Sequence, residues 1–182
     1  MYKKDIWQII PGLEIHGKPA PYWVLNERAI RATAWIMFAI WFFTVLTILY
    51  TQNYFLLHIV VPVFFADFLL KVLVWPKYSP FSFLGKLLVS KQKPEYVWAV
   101  QKRFAWALWL LMSWSVIIIA IIYDIHSFLP LTLCSICLLF MWMESALGIC
   151  VGCKIYGYLL KKWILKTPEH RPACPGGACS LK

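Results

Sequence analysis

LTLCSICLLFMWMESALGICVGCKIY, residues 131–156, decides the fold class. A run this long and this apolar exceeds the roughly 20 residues that cross the hydrocarbon core of a bilayer. Within it lie one carboxylate, Glu144, and two Cys-x-x-Cys pairs, Cys134/Cys137 and Cys150/Cys153. Three more stretches of the same character precede it, at about 32–50, 54–75 and 104–123. Apolar residues make up 62% of the 182 residues and the mean hydropathy is +0.68, outside the range of ordinary soluble domains. The first stretch does not read as a cleaved signal peptide, because a polar, proline-containing segment precedes it and no small-residue cleavage site follows it. The expectation is an all-α, polytopic membrane protein with four transmembrane helices.

Basic residues set the expected orientation. TQN joins the first two spans and DIHSF the last two, and neither loop contains Lys or Arg. Lys77, Lys86, Lys91, Lys93, Lys102 and Arg103 fall between the second and third spans. Lys3, Lys4, Lys18, Arg28 and Arg31 precede the first, and Lys161, Lys162, Lys166 and Arg171 follow the fourth. All clusters therefore share one side, which the positive-inside bias makes cytoplasmic, with both termini on that side. The net charge of +10 is then accounted for by anionic headgroups of the inner leaflet, without a nucleic-acid partner.

Three regions follow: an N-terminal cytoplasmic or interfacial segment, 1–30; a transmembrane domain, 31–160; and a cytoplasmic, cysteine-containing tail, 161–182. In the first, Trp7, Ile9, Ile10, Tyr22 and Trp23 alternate with Pro11, Pro19 and Pro21, which reads as an irregular segment at headgroup level. Pro62 is expected to kink the second span unless neighbours satisfy the freed carbonyl. Between the hairpins, Phe81, Phe83, Leu84, Leu87 and Leu88 recur at helical spacing opposite Lys86 and Lys91, the pattern of a short interfacial amphipathic helix. The tail loses its helical pattern at Pro168. LLKVLVWP at 69–76 and LLKKWILKTP at 159–168 end the two return helices in similar strings, a faint echo of two parallel hairpin repeats.

Two acids lie within spans, where a charge is costly and must face a partner or the bundle interior. Asp67 precedes Lys71 by four residues, so the two share a helix face and pair. Glu144 has no basic residue within a turn of its own helix, and reads either as a packing carboxyl or as a proton-handling group. Cys134 and Cys137 fall at the start of the fourth helix, where the dipole favours a thiolate, although buried packing thiols are the plainer reading. Cys150 and Cys153 fall at its other end, where the dipole opposes a thiolate. In a straight helix the pairs stand about 24 Å apart on nearly opposite faces, too far for direct exchange. Gly148 and Gly152 flank the second pair and allow close approach of another backbone or a substrate. Cys174 and Cys179, in ACPGGAC, complete a loosely zinc-like set with Cys150 and Cys153, or exchange with them by thiol–disulfide attack. Met141, Met143 and His126 are weak candidates for metal ligation, and no cofactor motif stands out.

Several strings resemble DUF4395, a family of small bacterial membrane proteins: NERAIRATAW at 26–35, ADFLLK at 66–71, KYSPFSFLGKLL at 77–88, KRFAWALWLL at 102–111 and ESALGICVGCKIY at 144–156. The resemblance implies that Glu144, Gly148, Cys150, Gly152 and Cys153 form the family signature, with Asp67 a lesser member. It places the chain in a bacterial cytoplasmic (inner) membrane and resembles groups linked with thiol or sulfur metabolism. LCSIC and the tail cysteines fall outside that pattern. The leading expectation is a thiol-based protein handling disulfide exchange or sulfur at the cytoplasmic Cys-x-x-Cys, with a thiol or sulfur carrier protein as partner. The alternatives are a non-catalytic subunit of a larger membrane complex and a cysteine-based metal site. Whether the chain is an enzyme stays open at this point.

Overall fold

The computed structural model describes residues 7–9, 11–15, 17–19, 22–125 and 128–162. The sequence readings on His126, on the tail beyond residue 162, and on Cys174 and Cys179 lie outside the described residues. The chain is mostly helical: α1 is Glu27–Thr51, α2 Phe55–Leu69, α3 Pro80–Leu88, α4 Ala99–Val116, α5 Phe128–Ala146 and α6 Val151–Lys161. α2 runs through Pro62 and on through a π-helical turn at Leu70–Val74, and α4 continues through another at Ile117–Ile122. Among the described residues three helices are thus long and apolar enough to cross a membrane, Glu27–Thr51, Phe55–Val74 and Ala99–Ile122. Only about a third of each apolar window is buried inside the fold (28–33%), so most of its greasy surface faces outward, as lipid-facing helices require.

The fourth apolar run is not one straight helix. It breaks between Leu131–Ala146 and Val151–Lys161 with a bend of 90°, so the candidate spans among the described residues number three, or four if the bent pair is counted as one. Gly148 makes the break: its φ of +67° is open to glycine and costly for other residues. The N–H groups of Leu147 and Ile149 both return to the Met143 carbonyl, at 3.1 and 3.0 Å. Arg31 reaches across from α1 and donates to the carbonyls of Ser145 and Ala146, at 3.4 and 3.3 Å, supplying partners for the end of α5.

The segment before α1 is not wholly irregular. Val24–Asn26 (β4) pairs antiparallel with Trp7–Gln8 (β1) and with Tyr96–Trp98 (β5), while Glu14–Ile15 (β2) and Lys18–Pro19 (β3) form a small ribbon. These strands are too short to announce themselves by alternation. Their consequence is positional. β4 runs directly into α1 and β5 directly into α4, so the register Leu25↔Val97 fixes the first turns of the two helices beside each other. Glu27 N–H donates to Glu95 O at 2.7 Å and Ala99 N–H to Trp23 O at 3.0 Å, extending the clamp.

α3 is amphipathic, as its spacing predicts, and its apolar residues Phe83, Leu84, Leu87 and Leu88 are exposed. Its Gly85 lies against α1 so closely that an added Cβ would come within 2.2 Å of Thr33 Oγ1 and 2.6 Å of the Ala29 carbonyl. Inside the bundle, Met37, Trp41, Val61, Phe64, Phe68, Trp106, Trp109, Cys134, Cys137 and Met141 form one continuous core. Trp41 is fixed in it by an indole N–H donated to the Cys134 carbonyl at 3.0 Å.

Candidate functional site

The clamp between β4 and β5 places Glu27, in the first turn of α1, opposite Lys102, in the first turn of α4. Lys102 Nζ donates to Glu27 Oε1 and to Glu144 Oε1, each at 3.0 Å. All three side chains are nearly sealed from solvent: the residues are 1%, 3% and 7% exposed for Glu27, Lys102 and Glu144. One ammonium therefore serves two buried carboxylates drawn from three helices. Arg31 is a further cation within electrostatic reach of Glu27. Glu144, with no basic neighbour on its own helix, takes its partner from α4.

A second buried pair lies on α2. Lys71 Nζ meets Asp67 Oδ2 at 2.5 Å, the i,i+4 pairing expected from sequence. Asp67 Oδ1 accepts from the Ser79 hydroxyl at 2.6 Å, and Ser79 Oγ also accepts the Ser82 N–H at 3.0 Å. The ammonium of Lys71 stands over the rings of Phe68 and Trp106, at 5.1 and 5.9 Å, and reaches Met37 Sδ at 3.9 Å. Aromatic faces and a carboxylate replace the water this charge has lost.

The thiol pair follows from the break. Cys150 is the N-cap of α6, with extended backbone, and its sulfur accepts the Cys153 N–H at 3.3 Å. Cys153 sits three residues into the helix, so the dithiol occupies the N-terminal turn of α6. This overturns the straight-helix expectation: the pair faces the positive end of a helix macrodipole, the reverse of its predicted setting. Both cysteines are free thiols, 7% and 3% exposed, packed against Ala105 of α4. Gly152 allows that packing, since a Cβ there would lie 2.6 Å from Ala105 Cβ. Lys102, in the same turn of α4, is within electrostatic reach of both sulfurs.

The other pair is elsewhere. Cys134 and Cys137 are buried thiols of α5 in the apolar core, among Trp41, Val61, Phe64 and Met141. Among the described residues no group of three or more His, Cys, Asp or Glu is arranged to hold a metal ion. Sequence reasoning brought Glu144, Cys150 and Cys153 together but missed Glu27 and Lys102. In the sequence Lys102 reads as one of the basic residues between the second and third spans, and Glu27 falls in the 1–30 segment ahead of the first. The available signal was their presence in two of the strings quoted for the family, NERAIRATAW and KRFAWALWLL.

The molecule is thus a helical protein of membrane-crossing composition, with a buried ion cluster set against a dithiol at a helix break. The family model described as Domain of unknown function (DUF4395) matches residues 25–161, and the chain belongs to that family. No curated protein and no solved structure matches it.

Proposed function

We propose that the chain is a multi-pass protein of a bacterial inner membrane, with both termini and the β4–β5 end of the bundle in the cytoplasm, that handles disulfide exchange or sulfur at Cys150 and Cys153. The observation that carries this reading is the placement of the two thiols in the first turn of α6, with the Cys150 sulfur accepting a backbone N–H. Redox Cys-x-x-Cys pairs use this setting, where the helix N-terminus and a nearby cation stabilise negative charge on sulfur. Here the cation is Lys102, held in place by Glu27 and Glu144.

In this mechanism Cys150 attacks a disulfide of a thiol carrier protein. One S–S bond forms between Cys150 and the carrier, and the carrier's other sulfur leaves as a thiolate. Cys153 then attacks Cys150, closing the Cys150–Cys153 disulfide and releasing the carrier reduced. The two thiol protons pass to the leaving sulfurs or to neighbouring bases, with Glu144, the partner of Lys102, as the proton-handling carboxylate. Cys174 and Cys179 would serve as a delivering or resolving pair. Because both thiols are buried, attack requires the start of α6 to lift from Ala105.

The test is rapid alkylation in intact cells followed by mass spectrometry of each cysteine, with Cys153→Ser as a trap. The expected result is a fraction of Cys150/Cys153 as disulfide or bearing extra sulfur, and an adduct on Cys150 in the variant. Unmodified thiols throughout and no adduct would overturn the reading. Stoichiometric co-purifying subunits would then point to an accessory protein, and retained zinc to a metal site.

A further inference from the structure

Two half-open cavities lie end to end between the helices, and Trp109 and Met141 form walls of both. Along α2 and its π-helical continuation the walls pass from Lys71 to Phe64, and along α5 from Glu144 to Cys137. The pair therefore makes one column running down the bundle from the β4–β5 end. Counted out to their mouths, the cavities hold about 400 and 300 Å³. Ligand sites are concavities of roughly 300–1,000 Å³, mostly apolar, with a few polar groups that fix orientation, and gaps between bundled helices commonly hold them. Here the polar side chains gather at one end, in the first cavity. The second is lined by Val61, Phe64 and Val116, and its one hydroxyl, Ser113, is spent on the Trp109 carbonyl at 2.9 Å.

The polar end specifies the head group. Lys71 is paired with Asp67 and Glu144 with Lys102, so each charge in the wall already has its counter-ion. A charged head would stand unpaired in a low-dielectric interior, which is costly, so a neutral one is favoured. Lys71 has three N–H donors, of which Asp67 takes one and Met37 Sδ, at 3.9 Å, is a weak acceptor for another. Glu144 Oε1 accepts from Lys102, while its second carboxylate oxygen has no hydrogen-bonded partner among the described residues. The recess thus offers one donor and one acceptor to a guest. Aromatic rings flank them: Phe68 and Trp109 stack at 6.1 Å with 10° between their planes, and Trp106 completes the wall. We propose that this column binds a lipid-soluble hydroquinone. Its ring lies among Phe68, Trp106 and Trp109, one oxygen accepts from Lys71, one O–H donates to Glu144, and its hydrocarbon tail follows the second cavity. The oxidised quinone carries two carbonyls and no O–H, so it leaves the Glu144 oxygen unpaired and binds more weakly. Binding alone is assigned, with no electron transfer, and it stands or falls independently of the dithiol reading.

The experiment is calorimetric titration of the full chain in lipid nanodiscs under argon, with lipid-only discs as the blank. The probes are a decyl-substituted benzohydroquinone, its quinone, and the tail-less hydroquinone. The decyl hydroquinone should saturate at one per chain and bind about tenfold more tightly than the quinone, the worth of one unsatisfied buried acceptor. Ala34→Leu adds carbon to the wall of the polar cavity and should weaken both hydroquinones about tenfold. Ser113→Leu adds carbon to the second cavity and should weaken only the tailed probe. No saturable binding beyond the blank would overturn the site, as would unchanged affinity in both variants once circular dichroism shows them folded. Equal affinity of hydroquinone and quinone would overturn the pairing with Glu144. Equally good displacement by decanol, which has the hydroxyl and the chain but no ring, would overturn the hydroquinone in favour of a plain alkyl lipid. Should either Leu variant fail to fold, Glu144→Gln is read instead. Its carbonyl oxygen stays with Lys102 and its NH2 turns to the recess, so the preference for the reduced probe should vanish, and a preference that persists would overturn the assignment.

Discussion

Replacing Lys102 by Met removes the one ammonium shared by two carboxylates that are almost wholly buried. Met has much the same length and volume, so little packing is lost and the effect is electrostatic. Breaking a buried ion pair from one side costs roughly 3–5 kcal/mol, because the remaining charge is left uncompensated in a low-dielectric interior. Arg31 gives only partial relief, since its guanidinium is engaged with the Ser145 and Ala146 carbonyls. For a chain of this size each kcal/mol lowers Tm by about 2–4 °C, so Lys102→Met should melt roughly 6–20 °C below the parent protein. The assay is thermal unfolding in a mild detergent, followed by circular dichroism. The triple variant Lys102→Met/Glu27→Gln/Glu144→Gln should recover most of the loss, because no buried charge is then left without its partner. Arg28→Ala is the reference: Arg28 and Glu95 also form an ion pair, but their side chains are 38% and 30% exposed, and such pairs contribute about 1 kcal/mol or less. If Lys102→Met melts no lower than Arg28→Ala, the cluster does not hold α1, α4 and α5 together and the reasoning fails.

Substitutions at four further positions test the local geometry by the same melting assay. Gly148→Ala forces a Cβ into a left-handed conformation beside Arg31 and should cost about 1–2 kcal/mol, with Gly148→Asn milder. Gly152→Ala presses into Ala105 and should cost about 1–3 kcal/mol, and it should also speed alkylation of Cys153 as α6 lifts from α4. Gly85→Ala meets Thr33 and the Ala29 carbonyl, so α3 must shift away from α1, again at about 1–3 kcal/mol. Cys150→Ser keeps an N-cap acceptor and should fold at least as stably as the parent, whereas Cys150→Ala loses the cap and about 0.5–2 kcal/mol.

The spans were legible because lipid and protein impose one simple requirement on long helices, and runs of apolar residues satisfy it visibly. The Asp67–Lys71 pair was legible because it is local, four residues apart on one face. The break at residues 147–150 was not read, although Gly148 followed by a new helical pattern is an ordinary helix stop, because a long apolar run invites a single helix. That one omission reversed the electrostatic setting of Cys150 and Cys153. The ion cluster was hidden for a different reason. Lys102 is 75 residues from Glu27 and 42 from Glu144 in the chain, and what joins them is a three-residue strand pairing too short to leave a periodic trace.

The same strand pairing explains why the dithiol and the ion cluster occur together. β4 and β5 fix the starts of α1 and α4, and Lys102 then has to sit at the junction of α1, α4 and α5. A charged triad at that junction needs the end of α5 to bring Glu144 in, and Arg31 holds α5's last carbonyls just beyond it. With α5 stopped there, the chain must turn sharply, and Gly148 supplies the turn that delivers Cys150 to the N-terminus of α6 on the face of α4. The stretch from Glu144 to Cys153 is therefore one structural sentence: a buried acid, a forced turn, and two thiols placed at a helix start within electrostatic reach of that acid's partner. A structural role and the proposed chemistry on sulfur make the same demands on the turn, on the close approach of Gly152 and on the shared Lys102. Substitutions that spare the fold, such as Cys150→Ser, are therefore the ones that separate the two.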